Sequence, residues 1–184
     1  MSAERKPRDK YTHYENAEPV KDPYELMDLF SQGRSDSTDG RYLHVSGGND
    51  IELHRGWYTH GDSGGDRSGI DYYCVDQDTA QKLIKEGWVT PKRVPQWGHT
   101  ETRHNQLVLS DAGKAELRRF HEEQRNAALA LLVPGKHSKF SGVFNYRSHG
   151  RQYPGLGPLY IDFITPMDEK VRVYPTLKKV EKVK

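Results

Sequence analysis

Cysteine is nearly absent: Cys74 is the only one in 184 residues. No intrachain disulfide can form, and a reducing compartment is the simplest expectation. Long hydrophobic runs are missing as well. No stretch approaches the roughly 20 apolar residues that span a bilayer. The first residues lack the apolar centre of a signal peptide, so the sequence reads as that of a cytoplasmic protein with no membrane partner. An excess of charge of either sign is also lacking, since 28 Lys and Arg face 26 Asp and Glu for a net +2. That balance neither announces nucleic-acid affinity nor supports mimicry of DNA by an acidic surface. Hydrophobic residues make up 34% and charged residues 29%, which leaves a small core for the length.

What is present divides the chain into an arm, a domain and a tail. Residues 1–21 are polar, without apolar period, and read as a flexible arm; Arg5, Lys6, Arg8 and Lys10 make its start basic. Residues 22–175 read as a single α+β domain, and residues 176–184 as a basic tail. Asp22-Pro23 opens a short helix that buries Tyr24, Met27, Leu29 and Phe30. The glycine- and serine-rich residues 33–40 form a loop. Residues 41–45 and 51–58 read as strands around the turn SGGND, and residues 69–75 as a further strand, so the first half forms a small antiparallel sheet.

Residues 76–120 organise the rest. Asp78 and Gln81 have capping-box spacing, and Ala80, Leu83 and Ile84 give one apolar face. Gly87 is placed to end that helix in a left-handed conformation. Trp88-Val89 begins a strand, and residues 106–109 (QLVL) return as its partner after a long hairpin. Ser110 caps the next helix, with Asp111 in its first turn. That helix carries Leu117, Phe120, Gln124, Ala128 and Leu131 on one stripe and stops at Pro134-Gly135. Residues 140–146, 159–164 and 171–174 read as strands, with a loop over residues 147–157 and a turn at Pro166-Met167-Asp168.

The order helix, hairpin, helix, with the phrases LIKEGWV and LVLSDAGKAEL, resembles the second half of a winged helix-turn-helix domain. The resemblance covers about a quarter of the chain and implies a winged-helix-like core at residues 76–131, joined to the small sheet. The chain departs from that family where a strand replaces the helices that normally precede the recognition helix, and in its longer wing. The family likeness implies duplex DNA as a partner, contacted by Gln81, Lys82 and Lys85 on the helix and by Lys92, Arg93, His99 and Arg103 on the wing. It also allows pairing of two copies, although no seam for a homodimer is visible in the sequence.

Other readings stand beside that one. Trp97 near the wing tip suits contact with a partner protein, which makes the unit an interaction module in a larger assembly. His60, Asp62 and Asp66, with His54 and Asp71 nearby, are the residue types of a metal-dependent hydrolase or nuclease, though without recognised ligand spacing. No metal ligand set, catalytic residue or cofactor is assigned. Residues 61–65 (GDSGG) resemble the nucleophile phrase of trypsin-like proteases, but only 62 residues precede Ser63, too few for both triad partners on two barrels; the phrase reads as a turn. Basic residues Lys136, His137, Lys139, Arg147, His149 and Arg151 alternate with Phe140, Phe144, Tyr146 and Tyr153. That pattern fits single strands or RNA, and equally a sheet with aromatic core positions. The expected function is thus a small DNA-binding regulator of bacterial or phage type, with the interaction module and the hydrolase as alternatives.

Overall fold

The computed structural model describes residues 19–31, 41–45, 51–59, 67–73, 75–139, 142–151 and 157–183. Its elements are α1 (Pro23–Ser31), β1 (Arg41–Val45), β2 (Ile51–Thr59), β3 (Arg67–Tyr73), α2 (Gln77–Lys85), β4 (Val89–Gln96), β5 (His99–Leu109), α3 (Asp111–Leu131), β6 (Asn145–Arg151), β7 (Leu159–Ile164), β8 (Lys170–Tyr174) and β9 (Lys179–Val183). The fold is mixed α+β, with two antiparallel sheets. The chain divides into two compact units, and the division falls inside α3, between Glu116 and Leu117.

In the first unit, five strands lie in the order β3-β2-β1-β5-β4. The hairpin β4–β5 and the earlier strands therefore share one sheet, joined where Leu43 pairs with Leu107 and His44 with Gln106. Helix α1 packs on α2, β1 and β5. Leu26, Met27 and Leu29 from α1 are fully buried with Leu43, Ala80 and Leu83.

Helix α2 is capped by Asp76, not by Asp78 as the spacing suggested. Asp76 is extended (φ −66°, ψ 126°), and its Oδ2 accepts from the Thr79 amide at 3.0 Å. The preceding residue, Val75, bridges to Val20, and Asp76 donates its own amide to the Val20 carbonyl at 3.1 Å. That tie holds the chain extended up to Asp76, which makes it the cap and leaves Asp78 in the first turn. The Thr79 hydroxyl lies 2.9 Å from both the Lys21 carbonyl and the Asp76 carboxylate, and its single proton serves one of them at a time. At the other end Gly87 takes φ +68°, and Trp88 donates its amide to the Leu83 carbonyl at 2.9 Å, the six-to-one bond of a Schellman cap.

The phrase Leu109-Ser110-Asp111-Ala112-Gly113 has a physical explanation in the same place. Ser110 donates its amide to the Trp88 carbonyl at 2.9 Å and its hydroxyl to the Gly87 carbonyl at 2.7 Å. Its Oγ accepts in turn from the Gly113 amide at 3.0 Å. A Cβ on Gly113 would lie 2.1 Å from the Trp88 carbonyl oxygen. One serine thus caps α3 and closes the turn after α2, and glycine is required because the helix start rests on backbone. The Tyr24 hydroxyl reaches Glu116 Oε1 at 2.7 Å, and its ring lies 6.1 Å from that of Trp88.

The second unit is a meander in the order β6-β7-β8-β9. Alternation explains its two faces: Leu159, Ile161 and Phe163 of β7 and Val171 and Val173 of β8 are buried. They pack with Phe144, with Ala128 of α3 and with Leu132 just after that helix. Two expectations are corrected here. Strand β6 begins at Asn145, later than the expected residues 140–146, and runs through Arg151 into residues expected as loop. The expected basic tail instead supplies β9, because Val180 pairs with Val173 and packs on the core. The turn at residues 166–168 is present, with Asp168 at φ 59°.

On the face away from this core, Arg172 donates to both carboxylate oxygens of Asp162 at 2.7 and 2.9 Å. Its guanidinium lies 3.8 Å from the centre of the Tyr160 ring. These contacts push the Arg172 pKa further up, the hydrogen bond to Asp162 being the largest cause. Gly150 sits under Tyr160, where a Cβ would come within 2.6 Å of its hydroxyl.

Candidate contact surface on helix α2 and the β4–β5 hairpin

Helix α2 buries Thr79, Ala80 and Leu83. The opposite surface therefore carries Gln77, Asp78, Gln81, Lys82, Lys85 and Glu86, all exposed. Three of the expected DNA contacts, Gln81, Lys82 and Lys85, do reach solvent on this one helix. Asp78 and Glu86 share it, so two cations face two carboxylates and the helix surface is close to neutral.

The hairpin after α2 has two parts. Val89 to Pro91 pair with Leu109 to Leu107 near the helices, and Lys92 to Gln96 pair with Arg103 to His99 beyond them. Between Pro91 and Lys92 the register shifts, and residues 104–106 of β5 have no partner on β4. Such a bulge bends the strand and re-aims the residues beyond it. The tip is a two-residue turn, Trp97-Gly98, in which Gly98 takes φ +78°. His99 Nδ1 lies 3.3 Å from the Trp97 carbonyl. Trp97 is 99% exposed.

The outer part of the hairpin separates the expected basic contacts. Directly paired residues share a face, so Lys92, Val94, Glu101 and Arg103 lie on one side and Arg93 and Thr102 on the other. Lys92 is only 4% exposed, and its ammonium sits 5.4 Å from the centre of the Tyr42 ring on β1. It is not a surface contact. Arg103 is half-buried and pairs with Glu101 at 3.7 Å. Arg93 and His99 are exposed. Of the four expected DNA contacts on the wing, only these two stand out toward solvent, with Trp97 at the tip.

The remaining candidates fare differently. His60, Asp62 and Asp66 lie outside the described residues, as do Phe140 and Tyr153. Among the described residues no group of three or more His, Cys, Asp and Glu could hold a metal ion. The aromatic and basic pattern of residues 136–151 is accounted for by the second unit. Phe144 is core, the Tyr146 hydroxyl meets His149 Nδ1 at 2.7 Å, and Arg151 donates to the Gly157 carbonyl at 2.8 Å. The His149 ring also lies against that of His121, tilted by 46° with ring centres 4.2 Å apart; no sequence spacing announces this contact. A cleft of about 350 Å³ in the second unit is lined by His137, Asp168, Glu169, Lys170 and Lys182, together with two valines. Its charges cancel, and the Glu169 carboxylate is already committed to the Ser138 hydroxyl and the Lys139 amide.

No helix among the described residues is long and apolar enough to cross a membrane. Compared with family models, curated proteins and solved structures, the chain matches none of them.

Proposed function

We propose that the chain is a protein-interaction module that presents Trp97, at the tip of the β4–β5 hairpin, to a protein partner. The observation that carries this reading is the indole itself: 99% exposed on a tight two-residue turn. An aromatic side chain of this size buries about 200 Å² when it finds a pocket, and Trp and Arg dominate the residues on which interfaces depend. Arg93 supplies a nearby exposed guanidinium. Recognition runs through side chains, not through strand addition. Pro91 and Pro95 stand on β4, the edge strand of the sheet, and remove donors that an incoming strand would need. A photo-crosslinking residue at position 97 tests the proposal: a discrete protein adduct supports it, and its absence under conditions where the source organism expresses the chain opposes it.

A second reading, winged-helix-like binding of duplex DNA, is favoured by one observation: Gln81, Lys82 and Lys85 share the exposed face of α2. It ranks behind because Lys92 is buried, Arg103 is paired, and Asp78 and Glu86 offset the helix lysines. Fluorescence anisotropy with random-sequence duplex from about 50 to 200 mM salt tests it, since phosphate contacts make affinity fall steeply with salt. Affinity that also drops in Lys85→Ala and Arg93→Ala would move this reading to first place.

A further inference from the structure

The register shift in the hairpin divides it into a base and an outer arm. The base is part of the five-stranded sheet, since Leu107 pairs with both Pro91 and Leu43. Among the described residues the arm, residues 92–103, forms strand pairs only within itself, and residues 104–106 at its root have no partner on β4. Gln106 turns to β1 for its pairing, and its side-chain Oε1 is buried without a hydrogen-bond partner among the described residues. An isolated two-stranded ribbon is marginally stable at best, and a root with an unpaired acceptor gives it little to hold. Yet the first residue of the arm is among the most buried charged groups of the described residues. Lys92 lays its stem inward and places its ammonium over Tyr42 of β1, two strands away.

We propose that Lys92 is a positioning residue, a latch that fixes the arm at its root and so sets where Trp97 is presented. Burying an ammonium is expensive unless the group is engaged, and a lysine that served only solubility would point outward from a solvent-facing ribbon. Lys92 instead bridges the one place where the ladder is broken. The bulge re-aims the arm, and the cation over the Tyr42 ring holds the new direction. Arg93, one residue further, faces the other side and takes no part. The purpose of the latch rests on the proposed role of Trp97, but the latch itself is tested without any partner.

The experiment is amide hydrogen exchange, residue by residue, on the full chain and on Lys92→Ala, Lys92→Met and Arg93→Ala. In Lys92→Ala, exchange at residues 93–102 rises at least tenfold, while residues 107–109 and α2 stay within twofold. Lys92→Met keeps the stem and loses the charge, and gives an intermediate rise confined to the same amides. Arg93→Ala leaves the arm unchanged. Two results overturn the proposal: an arm that exchanges no faster in Lys92→Ala, or a rise spread evenly over the first unit, which would make Lys92 an ordinary core residue. Should Lys92→Ala fail to fold, Lys92→Met decides alone, by whether its rise is confined to the arm. An arm that loosens as expected, in a protein whose position 97 finds no partner, would uphold the latch and remove only the partner reading.

Discussion

Gly113 offers the sharpest test of how the first unit is held together. Its missing Cβ would lie 2.1 Å from the Trp88 carbonyl oxygen and 2.9 Å from the carbonyl carbon. Both are backbone atoms, and the oxygen is fixed by the Ser110 amide at 2.9 Å. Gly113→Ala therefore has no flexible neighbour to displace, and α3 must shift by more than an ångström at its first turn. Overpacking typically costs about 1–3 kcal/mol. The gain in helix propensity from Gly to Ala, at most about 1 kcal/mol, acts in the opposite direction. A shift also strains the bonds from Ser110 to Gly87 and Trp88, worth about 1 kcal/mol each. The net expectation is a loss of roughly 2 kcal/mol. Urea unfolding followed by tryptophan fluorescence is suited to the measurement, because Trp57, Trp88 and Trp97 all precede Gly113. Gly87→Ala is the comparison within the same unit: Gly87 has φ +68° with nothing within 4 Å, so only backbone strain of about 1–2 kcal/mol applies there. A Gly113→Ala protein as stable as the parent, or more stable, would refute the close approach and with it the reason for glycine in this phrase.

Trp97→Ala leaves urea stability within about 0.5 kcal/mol, because the side chain contributes no burial, yet weakens partner binding by on the order of 100-fold, measured by calorimetry once the crosslinked protein is in hand. Arg172→Ala removes the guanidinium from a half-buried carboxylate and from Tyr160, and lowers the stability of the second unit by about 2 kcal/mol; methyl NMR signals of Ile161 and Val173 report it without interference from the tryptophans. The hydrogen bonds from Thr79, amide first, hold the Asp76 carboxyl below its ordinary value. A lowered folded value means that its contribution is present in full above the unfolded value of about 3.9 and is lost as pH falls through the folded one. The Thr79 amide shift should therefore titrate with a midpoint below that of an ordinary aspartate, and Asp76→Asn should abolish the transition.

Local signals were readable in the sequence wherever one residue does one job. Gly87 ends α2, Ser110 caps α3, and β7 and β8 alternate as their residues suggest. The local pattern places the cap of α2 two residues late because Asp76 and Asp78 offer the same side chain; what separates them is the bridge from Val75 to Val20, more than fifty positions apart, which no local pattern carries. Strand β9 hid for a related reason. Lys179, Glu181 and Lys182 read as a solvated run until Val180 is paired with Val173. The candidate contact surface was half legible. Trp97, Gln81, Lys82, Lys85 and Arg93 reach solvent as their helix and hairpin positions imply. The burial of Lys92 depends on a register shift created by residues 104–106, and a bulge leaves no mark in side-chain alternation. Hence a lysine assigned to phosphate belongs to the root of the hairpin.

Trp97 as an anchor for a protein is the central claim, and crosslinking from position 97 measures it most directly. A photoreactive phenylalanine at position 97, expressed in the source organism beside a control at the exposed Met167 in the second unit, should give one discrete protein adduct that the control lacks. Adducts that are the same from both positions, or that consist of nucleic acid, would contradict the claim and return α2 and the hairpin to the DNA-binding reading.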